Sequence, residues 1–126
     1  MKRPRNWDGN MKVIVAGSRD ITDIGIVARA IGESGFKITE IVSGGARGVD
    51  YLGELLASMH GHQVKLFPAD WDKHGKGAGP IRNRKMARYG DCLVAVWDGS
   101  SSGTANMIQE MKKLGKPVHV HVLDKT

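Results

Sequence analysis

An α/β fold built on a mainly parallel, doubly wound five-stranded sheet is predicted by three features of this chain. Short apolar runs alternate with helical patterns of about ten residues from one end to the other. The runs are continuous rather than alternating, as in strands covered on both faces. Three of them end in a glycine-rich turn that leads directly into a helical pattern. With 126 residues, 40% of them hydrophobic, the chain is long enough for one domain with its own core. Residues 1–10 read as a basic, polar N-terminal tail and residues 11–126 as the single domain.

Met11 to Ala16, broken only by Lys12, is the first predicted strand. Asp20, Thr22 and Asp23 are candidate caps for a helix in which Ile24, Val27, Ala28 and Ile31 recur at helical spacing until Gly35. Lys37 to Val42 is the second strand. Val49, Leu52, Leu55, Leu56 and Met59 then form the apolar stripe of a second helix, ended by Gly61. His62 to Phe67 is the third strand. From Pro68 to Pro80 the composition turns to Gly, Lys, Asp and His, which predicts one long loop. Ile81 to Tyr89 reads as a basic helix, Cys92 to Trp97 as the fourth strand, Thr104 to Leu114 as a helix and Val118 to Leu123 as the fifth strand. This alternation implies right-handed crossovers and a three-layer, Rossmann-like sandwich. Ligands of such sheets sit outside the carboxyl ends of the strands, where the strand order reverses, commonly between the first and fourth strands. All three glycine-rich turns fall on that edge.

The formal charge of +6 is concentrated between residues 73 and 90, where Lys73, Lys76, Arg82, Arg84, Lys85 and Arg88 have no carboxylate among them. An anionic partner and a solvated helix face both account for that segment. The single cysteine, Cys92, excludes an internal disulfide and fits a reducing cytoplasm; a buried, inert thiol is expected. Neither a signal peptide nor a membrane span is expected, and no membrane partner.

Ser43, Gly44, Gly45, Ala46, Arg47, Gly48, Val49 and Asp50 carry the most chemistry. Glycines let successive N–H groups turn inward, a helix start adds unpaired donors, and Arg47 brings a planar fork suited to phosphate. Asp50 is either a ligand contact or a first-turn residue that complements the helix dipole. Gly17, Ser18 and Arg19 end the first strand, and Asp98 to Thr104 follow the fourth, with Ser102, Gly103 and Thr104 at a helix start and one of Ser100, Ser101 and Ser102 expected to cap it. Asp98 suits a ribose hydroxyl pair or a turn. Arg82, Asn83 and Arg84 open a helix straight after the long loop. Trp71 in that loop is a candidate for base stacking, for a dimer contact or for anchoring the loop, whereas Trp97 suits the core. His119 and His121 share one strand face, but without a third ligand the expectation is no metal.

Taken in order, Gly17-Ser18-Arg19, Ser43 to Asp50, Pro68-Ala69-Asp70-Trp71, Gly79-Pro80-Ile81-Arg82-Asn83-Arg84 and Asp98-Gly99-Ser100 with Gly103-Thr104 resemble the SLOG superfamily. The likeness is strongest to its YspA, cpYpsA-related branch and spans roughly residues 11 to 123. The superfamily joins DNA-processing protein A, whose Rossmann domain binds single-stranded DNA, to the Lonely Guy phosphoribohydrolases and to sensors of nucleotide-derived signals. The resemblance implies a nucleotide pocket. Lonely Guy enzymes also resemble this chain at Gly103-Thr104, but they place a catalytic glutamate three residues after the threonine, where Met107 stands here. Arg82 and Arg84 match the arginines that open the corresponding helix in those enzymes.

The expectation from these residues is a protein that binds or senses a phosphate-bearing nucleotide or nucleotide-derived small molecule. Gly17, Ser18, Arg19, Gly44, Gly45, Arg47, Gly103 and Thr104 would face the phosphates, Arg82 and Arg84 would close over the ligand, and the 68 to 80 loop would act as a partial lid. Two alternatives stay open. One is hydrolysis of a nucleotide N-glycosidic bond with Asp98, Asp50 or Glu110 as the acid, and the other is binding of single-stranded nucleic acid through residues 73 to 90. No cofactor is expected. By analogy with relatives, a homodimer or higher symmetric oligomer is.

Overall fold

The computed structural model describes residues 11–123; the predicted basic tail and the last three residues lie outside the described part. Five strands, β1 (Met11–Gly17), β2 (Ile38–Ser43), β3 (Gln63–Leu66), β4 (Cys92–Trp97) and β5 (Val118–Val122), form one all-parallel sheet in the order β3-β2-β1-β4-β5. The order reverses between β1 and β4, where Val13 pairs with Cys92 and Gly17 with Val96. α1 (Ile24–Ser34) and α2 (Val49–Met59) cover one face, and α4 (Ala78–Tyr89) and α5 (Ser102–Lys113) cover the other. The expected three-layer Rossmann-like architecture is the one found.

The apolar run of β1 feeds both faces at once. Val13 and Val15 join the core under α1 and α2, while Ile14 and Ala16 join the core under α4 and α5. α1 starts at Asp23, whose side chain accepts from the Gly25 N–H, and ends at Gly35 in the left-handed region. Cys92 is fully buried in β4 and desolvation pushes its thiol up to about 12, as befits an inert structural cysteine.

Three expectations need correction. Pro68 to Pro80 is not a loop throughout: Asp70 caps a short helix, α3 (Trp71–His74), a 3-10 turn follows at Gly75–Gly77, and α4 begins at Ala78. Pro80 falls in the first turn of α4, where its missing N–H has no intrahelical partner to lose, so it marks a helix start. In α2 the buried positions are Val49, Leu52, Gly53, Leu56 and Ala57, whereas Leu55 and Met59 line up with Tyr51 on the exposed side. No serine hydroxyl caps α5. The Asp98 carboxylate accepts from the N–H groups of both Ser100 and Ser101 at 2.8 Å, and the Ser101 hydroxyl instead accepts from Thr104.

His119 and His121 both face Glu33, at 3.5 and 3.0 Å, tying β5 to the end of α1; hydrogen bonding from His121, with His119 adding to it, holds the Glu33 pKa below its usual value. Among the described residues no group of three or more His, Cys, Asp or Glu is placed to hold a metal, and no helix is long and apolar enough to cross a membrane.

Candidate functional site

The carboxyl edge of the sheet opens into a crevice at the β1/β4 switch point, floored by Ala16, Gly17, Asp50, Met86, Thr104 and Met107. Backbone bonds first draw the three glycine-rich turns together. The Ser18 N–H donates to the Val96 carbonyl, the Val49 N–H to the Ser18 carbonyl, and the Asp98 N–H to the Ser18 hydroxyl. Gly48 sits at φ +77° with the Ser18 and Arg19 carbonyl oxygens 2.5 Å from where a Cβ would be, so no side chain fits there. Gly17 is held to glycine by the Val96 carbonyl in the same way.

Ser43 is fully buried, and its hydroxyl donates to Glu54 at 2.7 Å while accepting from the Gly45 N–H at 3.1 Å. It shapes the turn from behind. Asp50, also buried, reaches back under the same turn and accepts from the Ala46 N–H. Desolvation pushes its pKa up to about 6, against the opposing pull of the Ala46 bond and of Arg82. Burial therefore makes Asp50, at the bottom of the crevice, easier to protonate than an ordinary carboxylate.

Arg82 enters from the opposite wall, on the second turn of α4. Its Nη1 donates to the Gly44 carbonyl at 2.6 Å and its Nε to Asn83 Oδ1 at 2.9 Å. A Cβ on Gly44 would collide with that guanidinium and lie 2.9 Å from Asp50 Oδ2, so the glycine leaves the space in which Arg82 and Asp50 face one another. Burial lowers the Arg82 pKa, Asp50 opposes the drop, and the neighbouring Arg19 adds to it. Among the described residues no carboxylate lies within 4.0 Å of Arg82, and none of its hydrogen bonds uses Nη2. The cation is held by neutral acceptors, and Asp50 attracts it without an ion-pair contact.

Asn83 fixes that position. Buried between α4 and α5, it accepts from Arg82 and donates to the Gly103 carbonyl at 3.2 Å and to Asn106 at 2.9 Å. Its polar atoms are spent inside the protein. Arg47 stands on the rim, largely exposed and 3.7 Å from an equally exposed Asp20. Arg84 projects from α4 into solvent and does not line the crevice, since two residues of helix turn it away from Arg82. Of the predicted residues, then, the fold brings Gly17, Arg19, Gly44 to Arg47, Asp50, Arg82, Asn83 and Ser102 to Thr104 around one crevice, with Ser18, Ser43, Gly48 and Asp98 bracing its turns. Sequence reasoning missed Glu54, whose only signal was its place one turn after Asp50, and Asn106, which had none.

The profile of the YspA, cpYpsA-related SLOG family matches residues 11–74. Gene 61 protein of Mycobacterium phage D29 is 37% identical over 117 residues, which cover 85% of this chain and 93% of that protein. The chain belongs to the YspA, cpYpsA-related SLOG family. No solved structure matches it. Within this SLOG domain Met107, the position taken by the glutamate of Lonely Guy enzymes, is 1% exposed and closes the crevice floor with a thioether. Glu110, one turn on, is buried away from the crevice against Lys113 at 3.6 Å. The Ser100 and Ser101 N–H groups lower the pKa of the Asp98 carboxylate. Among the three carboxylates considered from the sequence, only Asp50 lines the crevice.

Proposed function

We propose that the crevice binds a phosphate-bearing, nucleotide-derived small molecule and that the protein acts as a binding or sensing module for it. The observation that carries this reading is Arg82. A half-buried guanidinium held by neutral groups and lacking an ion-pair partner is costly in the empty protein, and an anion delivered to its free amino group offsets that cost. Arg19 and Arg47 on the walls add cations of the same sign. Membership of the SLOG family is compatible with a nucleotide ligand.

Thermal unfolding against a panel of nucleotides, in wild type and Arg82→Met, tests it. The expected result is a rise in melting temperature with at least one phosphate-bearing nucleotide, surviving moderate salt and lost in the variant. No shift with any of them would refute the reading. A shift produced only by a single-stranded oligonucleotide, and abolished by salt, would replace the small molecule with nucleic acid.

A second reading, cleavage of the N-glycosidic bond of the bound nucleotide, is favoured by one observation: a carboxyl with its pKa near 6 lies on the crevice floor. Asp50 would be the acid. Release of free base by wild type but not by Asp50→Asn would establish it.

A further inference from the structure

A carboxylate stands on the crevice floor, beside the cation to which the preceding reading assigns an anion. Asp50 is only 6% exposed, yet it lines the floor together with Arg19 and Arg82. Its Oδ2 accepts from the Ala46 N–H at 3.3 Å. The same oxygen faces Arg82 Nη1 across the space that Gly44 leaves empty, but the two groups stay beyond ion-pair distance. Met86 and Met107, each 1% exposed, close the floor beneath them.

The charges around Asp50 come from four directions. Glu54, one turn on in α2, disfavours its ionisation, and Arg82 on α4 favours it. Arg19, in the turn after β1, lines the same floor; among the described residues no other charged side chain does. Arg47 and Lys76 stand farther out, in the hollows to either side. His74 lines a separate hollow with Asp70, Lys73 and Lys85, and meets the site only through Arg82.

An ionised Asp50 and an incoming anion compete for one guanidinium, and at an apolar, enclosed floor their repulsion is poorly screened. Resting on the nucleotide reading above, we propose that anion binding in this crevice is coupled to protonation of Asp50. As the anion reaches Arg82, the carboxylate takes one proton from solvent, one O–H bond forms, and Arg82 turns from the carboxylate to the anion. No other bond changes. Burial has already made the proton easy to add, and the anion makes it easier still, by placing a like charge beside Asp50 and drawing off the opposing cation. By linkage, affinity is then highest while Asp50 is protonated in the empty protein and falls as pH rises above that range.

Titration calorimetry on the full chain tests this with the 5′-monophosphates of adenosine, guanosine, cytidine and uridine at pH 5 and pH 8, in wild type and Asp50→Asn. The phosphate's own proton acts on both proteins alike, so the ratio of their dissociation constants isolates Asp50. The expected result is that wild type weakens relative to Asp50→Asn by about tenfold or more from pH 5 to pH 8, the equivalent of one pKa unit. Sodium sulfate, whose charge is constant over that range, gives a second reading that needs no change at Asp50. Its affinity should fall about tenfold or more over the same range in wild type, and equally in His74→Asn. A level ratio with the monophosphates overturns the coupling while the nucleotide reading stands. A sulfate response that disappears in His74→Asn also overturns it, since the proton would then belong to the histidine. Sulfate bound with the expected pH dependence, and no monophosphate bound, keeps the coupling and overturns the nucleotide reading. Failure of every anion to bind at pH 5 overturns both.

Discussion

α4 meets a cation near each of its ends, and the two are treated in opposite ways. At the carboxyl end Lys116 donates to the carbonyls of Ala87, Arg88 and Gly90 at 2.7, 3.1 and 2.7 Å, satisfying all three ammonium donors. That charge also sits against the negative end of the helix dipole. Burial lowers the Lys116 pKa, with Asp91 opposing. Arg82, near the amino end, has the unfavourable pole of the same helix, no carboxylate at ion-pair distance among the described residues and an amino group left over. The first cation completes the fold. The second keeps unused donors, and the contrast separates a cation saturated by the protein from one that is not.

That contrast can be broken at four places, taken in descending order of their effect on stability. Lys116→Met keeps most of the aliphatic stem but strands three carbonyls at a helix end; it should cost about 3 kcal/mol in urea unfolding and leave nucleotide affinity unchanged. An affinity loss there would show that the two ends of α4 are coupled.

Asp50→Asn comes next. Because the folded pKa is raised, the wild type carries no penalty while Asp50 is protonated in both states. It loses stability as pH rises from the ordinary carboxylate value through about 6, on the order of 2–3 kcal/mol in all. The difference in melting temperature between Asp50→Asn and wild type should therefore grow from pH 4 to pH 6 and stay level above it. A difference independent of pH would mean that Asp50 is ionised throughout.

Gly44→Ala puts a methyl between Arg82 and Asp50. It should cost about 1 kcal/mol of stability and tenfold or more in nucleotide affinity, since the long arginine yields more readily than backbone. Arg82→Met has the smallest expected effect on stability, within about 1 kcal/mol of wild type at pH 5, where Asp50 is mostly protonated and loses no counter-charge, because the lost bond to Gly44 is offset by relief of a half-buried cation. Its effect on ligand binding should be the largest of the four. A large loss of stability with unchanged binding would reverse the roles assigned to the two cations.

Much of this architecture was written in local pattern. β1, β2 and β4 stand within a residue of where the apolar runs place them, and Gly35 ends α1 by adopting the left-handed conformation. The glycine-rich turns were legible as one edge because alternation of strands and helices fixes where each turn must point. The 68 to 80 segment misled, because Gly and Pro there punctuate a capped turn and a helix start rather than a loop. Leu55 and Met59 misled differently. A helix carries more apolar residues than its buried stripe holds, and sequence alone does not say which flank is covered.

What the sequence by itself determined is the class of fold, the edge at which the crevice opens and the cationic, glycine-rich character of its walls. These follow from period, run length and residue type. Tertiary structure alone decided which polar groups are consumed internally and which are left over. Ser43 and Asn83 look like Arg19 and Arg82 in a one-dimensional motif, yet the first pair are saturated by Glu54, Gly45, Gly103 and Asn106, partners from 2 to 23 residues away. Hydrogen-bonding capacity is a property of the residue; its availability depends on which distant chain segments the sheet brings beside it.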